Sequence, residues 1–299
     1  MLKNPKYFSI IILTTLSLIW GSSFILIKKS LIGFSSGQVA SLRIIFAFIV
    51  LFPVALPRLK KITLKQYKFL FLVGLTANLL PAFLFAKAET GLESGLTGVL
   101  NSLTPMFTLI VGLIAFNGKL RKGELIGLII GLIGSAGLSF VSSSGELSSM
   151  NFYALFVVAA TICYGISANI IKVHLNDFNP KMLTSVSIFT IAPFAIIYLF
   201  TTDFFTHFQN TSETWTSLGA VFILGAVGTA FALILFNRLI QTTSAVSATS
   251  VTYLIPIIAI LWGIIDGEAF FPLHLLGVVL IIIGVYFVTK ANTKVKKEN

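Results

Sequence analysis

Charged residues and cysteines are both scarce in this chain. Lysine, arginine, aspartate and glutamate make up only 10% of the 299 residues, whereas hydrophobic residues make up 56%. A soluble domain needs about a quarter of its residues charged, so this composition excludes an ordinary water-soluble globular protein. Cys163 is the single cysteine, which excludes an intramolecular disulfide and a cysteine-based metal site. No cofactor and no metal are expected.

Long polar stretches are also lacking, which leaves no room for a separate soluble domain. Apolar runs recur along the whole chain instead, and about 20 apolar residues suffice for a helix to cross a membrane. The sequence therefore predicts an all-α membrane protein with ten transmembrane helices. These spans are predicted at residues 7–28, 37–57, 67–87, 93–116, 123–141, 151–172, 181–201, 216–237, 244–265 and 273–290.

The formal charge of +11 does not indicate nucleic-acid binding, because the basic residues lie in short clusters between apolar runs. Such clusters orient a chain in the lipid bilayer, with lysine and arginine on the cytoplasmic side. If the N-terminus is cytoplasmic, 17 basic residues fall in cytoplasmic segments and only three in outer segments. The sequence therefore predicts a multi-pass protein of the cell (inner) membrane with both termini in the cytoplasm.

The two halves of the chain resemble each other. Trp20-Gly21 matches Tyr164-Gly165 at an offset of 144, and Pro105 matches Pro256 at an offset of 151. We therefore predict a first five-helix repeat at residues 1–142, a second at 150–290 and a basic cytoplasmic tail at 291–299. Because each repeat has an odd number of helices, the second must enter the membrane from the opposite side. Inverted repeats are typical of alternating-access carriers.

Several short motifs carry a resemblance to a known family over essentially residues 7–290. They are Trp20-Gly21-Ser22-Ser23-Phe24, Arg43, Leu103-Thr104-Pro105, Leu254-Ile255-Pro256 and Gly267-Glu268. With these motifs the chain is similar to the EamA-type permeases of the drug/metabolite transporter superfamily. The resemblance implies ten helices and the export of amino acids, metabolites or drugs. One position departs from the family pattern, since Asn117 stands where the first repeat should have the acidic residue that Glu268 supplies in the second.

Polar and amphipathic side chains recur near the middle of six predicted spans. Such groups are costly in a membrane unless they face a cavity or a neighbouring helix, so they predict a midplane substrate site. Hydroxyl groups that only bond to their own backbone are the alternative for each serine and threonine. The predicted substrate-binding residues are Trp20, Ser23, Asn78, Asn101, Thr104, Tyr164, Ser167, Asn169, Thr229, Thr252 and Tyr253, and Pro81, Pro105 and Pro256 are predicted to break their helices.

Arg43 is the one charged residue well inside a predicted span. It either binds a substrate carboxylate or forms an ion pair with Glu89 or Glu93, and the ion pair is the favoured interpretation. No acidic residue or histidine lies near the middle of a span. Proton-driven carriers commonly need such a group there, so the sequence predicts a facilitator or exchanger.

These features together favour a secondary transporter, and more specifically an exporter, of small amphipathic metabolites. Amino acids, nucleobases and drug-like compounds fit an aromatic pair surrounded by amides and hydroxyls. A channel and a membrane-embedded enzyme are the alternatives, although the sequence contains neither a metalloprotease motif nor paired aspartates. A small-molecule substrate and the bilayer are the expected partners, and the sequence leaves the oligomeric state open, a monomer included.

Overall fold

The structure is a computed structural model that describes residues 5–116, 122–138, 151–206 and 208–295. Every regular element within these ranges is a helix, so the predicted all-α fold is confirmed. Seven of the described helices are long and apolar enough to cross a membrane, and Val251–Ile265 and Pro272–Gly284 are shorter apolar helices. The chain is therefore a multi-pass membrane protein.

We number the helical segments α1 to α10. Their bounds match the predicted spans within a few residues, except that α1, α8 and α10 are longer. The segments are α1 (Pro5–Gly33), α2 (Ser36–Ala55), α3 (Leu64–Ala88), α4 (Ser94–Ala115), α5 (Lys122–Leu138), α6 (Tyr153–His174), α7 (Pro180–Phe200), α8 (Ser212–Thr242), α9 (Ala245–Thr249, a 3-10 turn at Ser250–Tyr253, then Ile255–Ile265) and α10 (Pro272–Val295). The predicted boundary between the halves, at 142–150, lies outside the described residues.

Side-chain caps explain where several helices begin. Ser35 accepts a hydrogen bond from the backbone of Gln38, whose side chain bonds back to Ser35, and this capping box starts α2. Thr63 and Gln66 form the same arrangement before α3. Each box satisfies backbone N–H groups that have no partner inside the helix. The chain can therefore turn sharply between consecutive helices.

Four of the helices that the structure describes depart from regular α geometry, and they do so in pairs about 151 residues apart. α3 contains a π-helical segment at Leu75–Leu79, and α8 contains one at Ala226–Phe231. α4 is interrupted between Asn101 and Thr104, just as α9 is interrupted by its 3-10 turn. A proline follows each interruption. It causes the break, because proline has no backbone N–H to donate and its ring clashes with the preceding turn.

The helix packing is paired in the same way. α1 packs on α8 as α6 packs on α3, while α2 packs on α7 and α5 packs on α10. Gly21 lets α1 approach α9, where an added Cβ would lie 3.2 Å from the carbonyl oxygen of Ile255. Gly165, at the matching position of α6, lets α6 approach α4 in the same way, with an added Cβ 2.9 Å from the Phe107 backbone. The pairwise packing leaves space along the seam between the two halves.

Candidate functional site

A cavity of about 780 Å³, counting all atom-free space out to its mouth, lies on that seam. Both halves of the chain line it, through α1 to α4 from the first half and α6, α8 and α9 from the second. Nine of the eleven residues predicted from sequence to bind substrate meet here. The lining residues are Trp20, Ser23, Phe24, Ile27, Arg43, Ala77, Asn78, Phe85, Asn101, Thr104, Tyr164, Ser167, Ile171, Gly228, Thr229, Leu233, Phe236, Asn237, Thr249, Thr252 and Ile255.

The interruption in α4 brings Asn101 and Thr104 to the cavity. Pro105 cannot donate a backbone hydrogen bond, so α4 stops at Asn101 and restarts at Thr104. The carbonyl oxygen of Asn101 cannot accept a hydrogen bond from Pro105, which has no N–H. It accepts one from the hydroxyl group of Thr104 instead, at 2.7 Å. In α9, Thr252 donates to the carbonyl oxygen of Thr249 at 2.9 Å. These local bonds explain how hydroxyl-bearing residues stabilise an irregular backbone inside a membrane.

Aromatic rings form the apolar part of the cavity. Trp20 donates its indole N–H to the carbonyl oxygen of Gly228 at 2.9 Å, within the π-helical segment of α8. Its ring meets Phe236 edge-on, with the centroids 5.0 Å apart. Tyr164 stacks on Phe85 at a centroid distance of 5.8 Å and an interplanar angle of 27°. Since the indole N–H of Trp20 is already bonded, this ring presents mainly apolar surface.

Arg43 lines the cavity from α2, and its Nε donates to the hydroxyl group of Thr229 at 2.8 Å. Thr229 in turn donates to the carbonyl oxygen of Leu224 at 3.0 Å, an acceptor five residues earlier that the π-helical geometry makes available. The predicted ion pair with Glu89 or Glu93 does not form: no carboxylate of the described residues lies within 4.0 Å of Arg43.

Two predicted site residues do not line the cavity. Asn169 lies on α6 and donates its side-chain amide to the carbonyl oxygens of Thr108 at 2.9 Å and Gly165 at 2.8 Å. Its amide therefore ties α6 to α4. Tyr253 lies at the end of the 3-10 turn in α9, where its partly buried side chain packs on the hydrophobic core.

The lining residues that the sequence prediction missed are mostly apolar. A phenylalanine that faces a cavity and one that faces lipid look alike in a hydrophobic helix. A signal did exist for Phe85 and Phe236, which match each other at the 151-residue offset of the repeat. Asn237 could also have been predicted, because it is an amide within an apolar run. Its side-chain amide donates a hydrogen bond to the hydroxyl group of Thr184 at 2.8 Å.

The three predicted helix-breaking prolines occupy two kinds of position. Pro105 and Pro256 lie in the first turn of the restarted halves of α4 and α9. Pro81 follows the π-helical segment of α3, and the helix continues through it to Ala88. Only the first two therefore coincide with an interruption of the helix.

A cluster of charged and polar groups, which we call the Lys28 cluster, joins the ends of α1, α4 and α9. It comprises Lys28, Lys29, Ser94, Asp266 and Glu268. The ammonium group of Lys28 lies 2.8 Å from Glu268 and 2.9 Å from Asp266, and Lys29 pairs with Asp266 as well. Glu268 also accepts hydrogen bonds from the backbone and hydroxyl group of Ser94, at 3.0 and 2.7 Å.

The carboxylate of Glu268 occupies the N-terminus of α4, where unpaired backbone N–H groups favour negative charge. The second oxygen accepts from the backbone of Gly95 at 2.9 Å. Burial acts to raise the pKa of Glu268, but its hydrogen bonds with Lys28 and Ser94 outweigh burial and hold the pKa below its ordinary value. The carboxylate is therefore ionised at neutral pH.

Glu89 lies just beyond the end of α3, and its surroundings favour the neutral carboxyl group, in contrast to those of Glu268. Its side chain is buried, and neither oxygen has a hydrogen-bond partner of acceptable geometry among the described residues, although the backbone of Lys28 is near. Burial raises the pKa of Glu89 well above its ordinary value, and the charge of Glu268 acts in the same direction. Burial also raises the pKa of the half-buried Glu93.

Comparisons with known proteins agree with this architecture. The model of the EamA-like transporter family matches residues 7–140 and again residues 151–290. An uncharacterized transporter of Archaeoglobus fulgidus is 26% identical over 91% of this chain and 95% of its own length. A probable amino-acid metabolite efflux pump of Salmonella typhimurium is 26% identical over 90% of each chain. The inner membrane transporter YedA of Escherichia coli K12 is 25% identical over 93% of this chain and 89% of its own length.

A solved crystal structure shares the fold, with a TM-score of 0.67 over 96% of this chain and 98% of the other, at 14% identity. The family match covers nearly the whole chain, once in each half, so the resemblance predicted from the sequence is confirmed. The chain is a multi-pass membrane transporter and belongs to the EamA-like transporter family.

Proposed function

We propose that this protein is a secondary transporter that exports small amphipathic metabolites by alternating access. The observation that carries the proposal is the cavity, which both halves line and which the interrupted helices α4 and α9 border from equivalent positions. Transporters built from inverted repeats bind substrate near the bilayer midplane, at discontinuous helices between the repeats. The composition of the cavity, aromatic rings with amides and hydroxyls, suits an amphipathic ligand.

The proposed architecture is ten spanning helices in two inverted repeats with both termini in the cytoplasm. The double match of the family model and the paired irregularities of α3 with α8 and α4 with α9 support it. In this arrangement the Lys28 cluster lies at the outer end of the helices, and Lys172 lies at the cytoplasmic end. Amino-acid-like compounds are the first candidates for the substrate, because one relative is named a probable amino-acid metabolite efflux pump.

Transport by reconstituted protein tests this proposal, with labelled L-leucine, L-phenylalanine and adenine as the panel. Asn101→Ala and Tyr164→Ala should each lower the rate at least about tenfold, because both remove a polar contact from the cavity. Ile129→Ala is the matched control, since Ile129 lies on α5 with half of its side chain exposed. A larger loss in the control than in both cavity variants would contradict the proposed site, and no uptake of any panel member would contradict the function.

A further inference from the structure

Arg43 is the only charged residue among the described residues that line the cavity. A guanidinium group inside a membrane protein is costly unless an anion or several acceptors compensate it. Arg43 has five N–H donors, and only its Nε is bonded within the described part of the chain. The four N–H donors on its two terminal nitrogens therefore have no protein acceptor there.

Thr229 orients this guanidinium group. The Thr229 hydroxyl group donates its hydrogen bond to the carbonyl oxygen of Leu224, so a lone pair of its oxygen is left to accept from Nε. Gly225 lets α8 lie against the backbone of Arg43 itself, since a Cβ there would be 2.7 Å from the Arg43 carbonyl oxygen. With Nε fixed, the two terminal nitrogens form the free edge of the group, and this edge can bind a carboxylate bidentately.

The surroundings of Arg43 define what else the ligand needs. No residue that lines the cavity carries a negative charge. Glu89 is the acid whose charge reaches Arg43, but among the described residues its carboxyl group forms no contact with Arg43 within 4.0 Å. The side-chain amide of Asn78 and the hydroxyl group of Tyr164 also line it, and neither bonds to another described residue. The rings of Phe85 and Phe236 supply apolar surface next to these polar groups. The site thus combines the positive charge of Arg43 with the neutral polar groups of Asn78 and Tyr164 and with the apolar rings of Phe85 and Phe236.

We infer that Arg43 is the specificity-determining residue of this cavity and that the substrates are small monocarboxylates with an apolar body. The inference rests on the proposed transport function and narrows its substrate class. The carboxylate pairs with the free edge of Arg43, and the apolar body packs on the aromatic rings. Thr229 is a positioning residue that acts through Arg43. Nucleobases and amines without a carboxylate bind more weakly, because they leave the buried charge uncompensated.

Matched acids and amides test the inference by isolating the charge of the carboxylate. Purified protein in detergent is titrated with L-phenylalanine and L-phenylalaninamide, and with phenylacetate and phenylacetamide, while thermal stabilisation reports affinity. In at least one pair the acid should bind about tenfold more tightly than its amide. Amides that bind as tightly as their acids in both pairs would overturn the inference.

Variants separate recognition from structure. Arg43→Gln should lower the affinity for the acid at least about tenfold and leave the amide within about twofold, and Arg43→Lys should restore part of the loss. Thr229→Val keeps the charge and should give a smaller loss for the acid alone, which keeps the test valid where Arg43→Gln fails to fold. Arg58→Gln, the same change on the 3-10 turn after α2 and away from the cavity, should change neither affinity.

The outcomes distinguish this inference from the proposed function. Equal losses for acid and amide in Arg43→Gln would mean that Arg43 only supports the fold of the cavity. Binding and transport of adenine in preference to every acid would refute the inference and leave the transporter function standing. Failure of every compound to bind and to be transported would contradict the proposed export of amphipathic metabolites.

Discussion

At the scale of single residues, the structure separates two asparagines that the sequence could not tell apart. Asn78 faces the cavity and bonds to no other residue that the structure describes, whereas Asn169 donates both amide hydrogens to backbone carbonyls. Both are amides in apolar helices, so spacing alone predicts the same role for each. The difference arises because Gly165 brings α6 close enough to α4 for the Asn169 amide to reach Thr108.

This contrast predicts opposite effects for two matched substitutions. Asn169→Ala should lower the free energy of unfolding by about 0.6–1.7 kcal/mol, the usual range for a hydrogen bond between membrane helices, and leave substrate affinity unchanged. Asn78→Ala should weaken substrate binding and leave stability nearly unchanged. Thermal unfolding and ligand titration of the same two samples measure both effects. Reversed results would place Asn169 in the site and Asn78 in the framework.

Glu89 predicts a dependence of stability on pH. Because burial raises the pKa of its carboxyl group, the folded protein holds this proton at pH values where the unfolded chain has released it. Stability should therefore decrease as the pH rises from the ordinary glutamate pKa towards the raised one. Glu89→Gln mimics the neutral carboxyl group, so it should remove this slope without loss of folding. An unchanged slope in the variant would assign the effect to another group.

The same variant tests energy coupling. We expect transport down the substrate gradient without an imposed pH difference, since no acidic residue or histidine lies at a helix midpoint. Glu89→Gln should then retain transport. Uphill accumulation driven by a pH gradient alone, and abolished in Glu89→Gln, would refute facilitated transport and make Glu89 the coupling residue.

At the scale of helices, the sequence predicts where each segment lies but not its internal irregularities. The apolar runs predict the helix positions, and Pro105 and Pro256 mark two interruptions. The caps at Ser35 and Thr63 appear only in the structure. The π-helical segment of α8 has no such signal, because no proline or special motif stands in Ala226–Phe231. This segment forms in the packed structure, where Trp20 donates a hydrogen bond to the carbonyl oxygen of Gly228 and Thr229 donates one to that of Leu224.

We expect the Lys28 cluster to keep the outer end of the cavity closed. Glu268→Gln removes the charge that holds α1 against the start of α4, so that end should open more often. A cysteine at Ser23, in a Cys163→Ser background, should then react faster with a membrane-impermeant maleimide added from outside. Glu213→Gln is the matched control, because Glu213 lies in the first turn of α8 and forms no ion pair with a described residue. Equal rates in the two variants would show that the cluster is not a closure.

At the scale of the whole molecule, the distribution of basic residues predicts the orientation of the chain. The loop between α7 and α8 should lie outside the cell and the loop between α2 and α3 inside. An impermeant maleimide added to intact cells should therefore label Gln209→Cys and spare Lys65→Cys, which lies in the first turn of α3 next to the inner loop; both positions are exposed in the structure. Protection of residue 209, with labelling of residue 65, would contradict the inverted arrangement.

Counterflow measures whether one cavity serves both sides of the membrane in turn. Proteoliposomes are loaded with an unlabelled excess of the panel compound that stabilises the protein most, and a trace of labelled compound is added outside. A carrier with one alternately exposed site exchanges the two, so we expect a transient, saturable accumulation of label above equilibrium that Asn101→Ala suppresses. Entry of label that only approaches equilibrium and never saturates would indicate a channel and contradict alternating access.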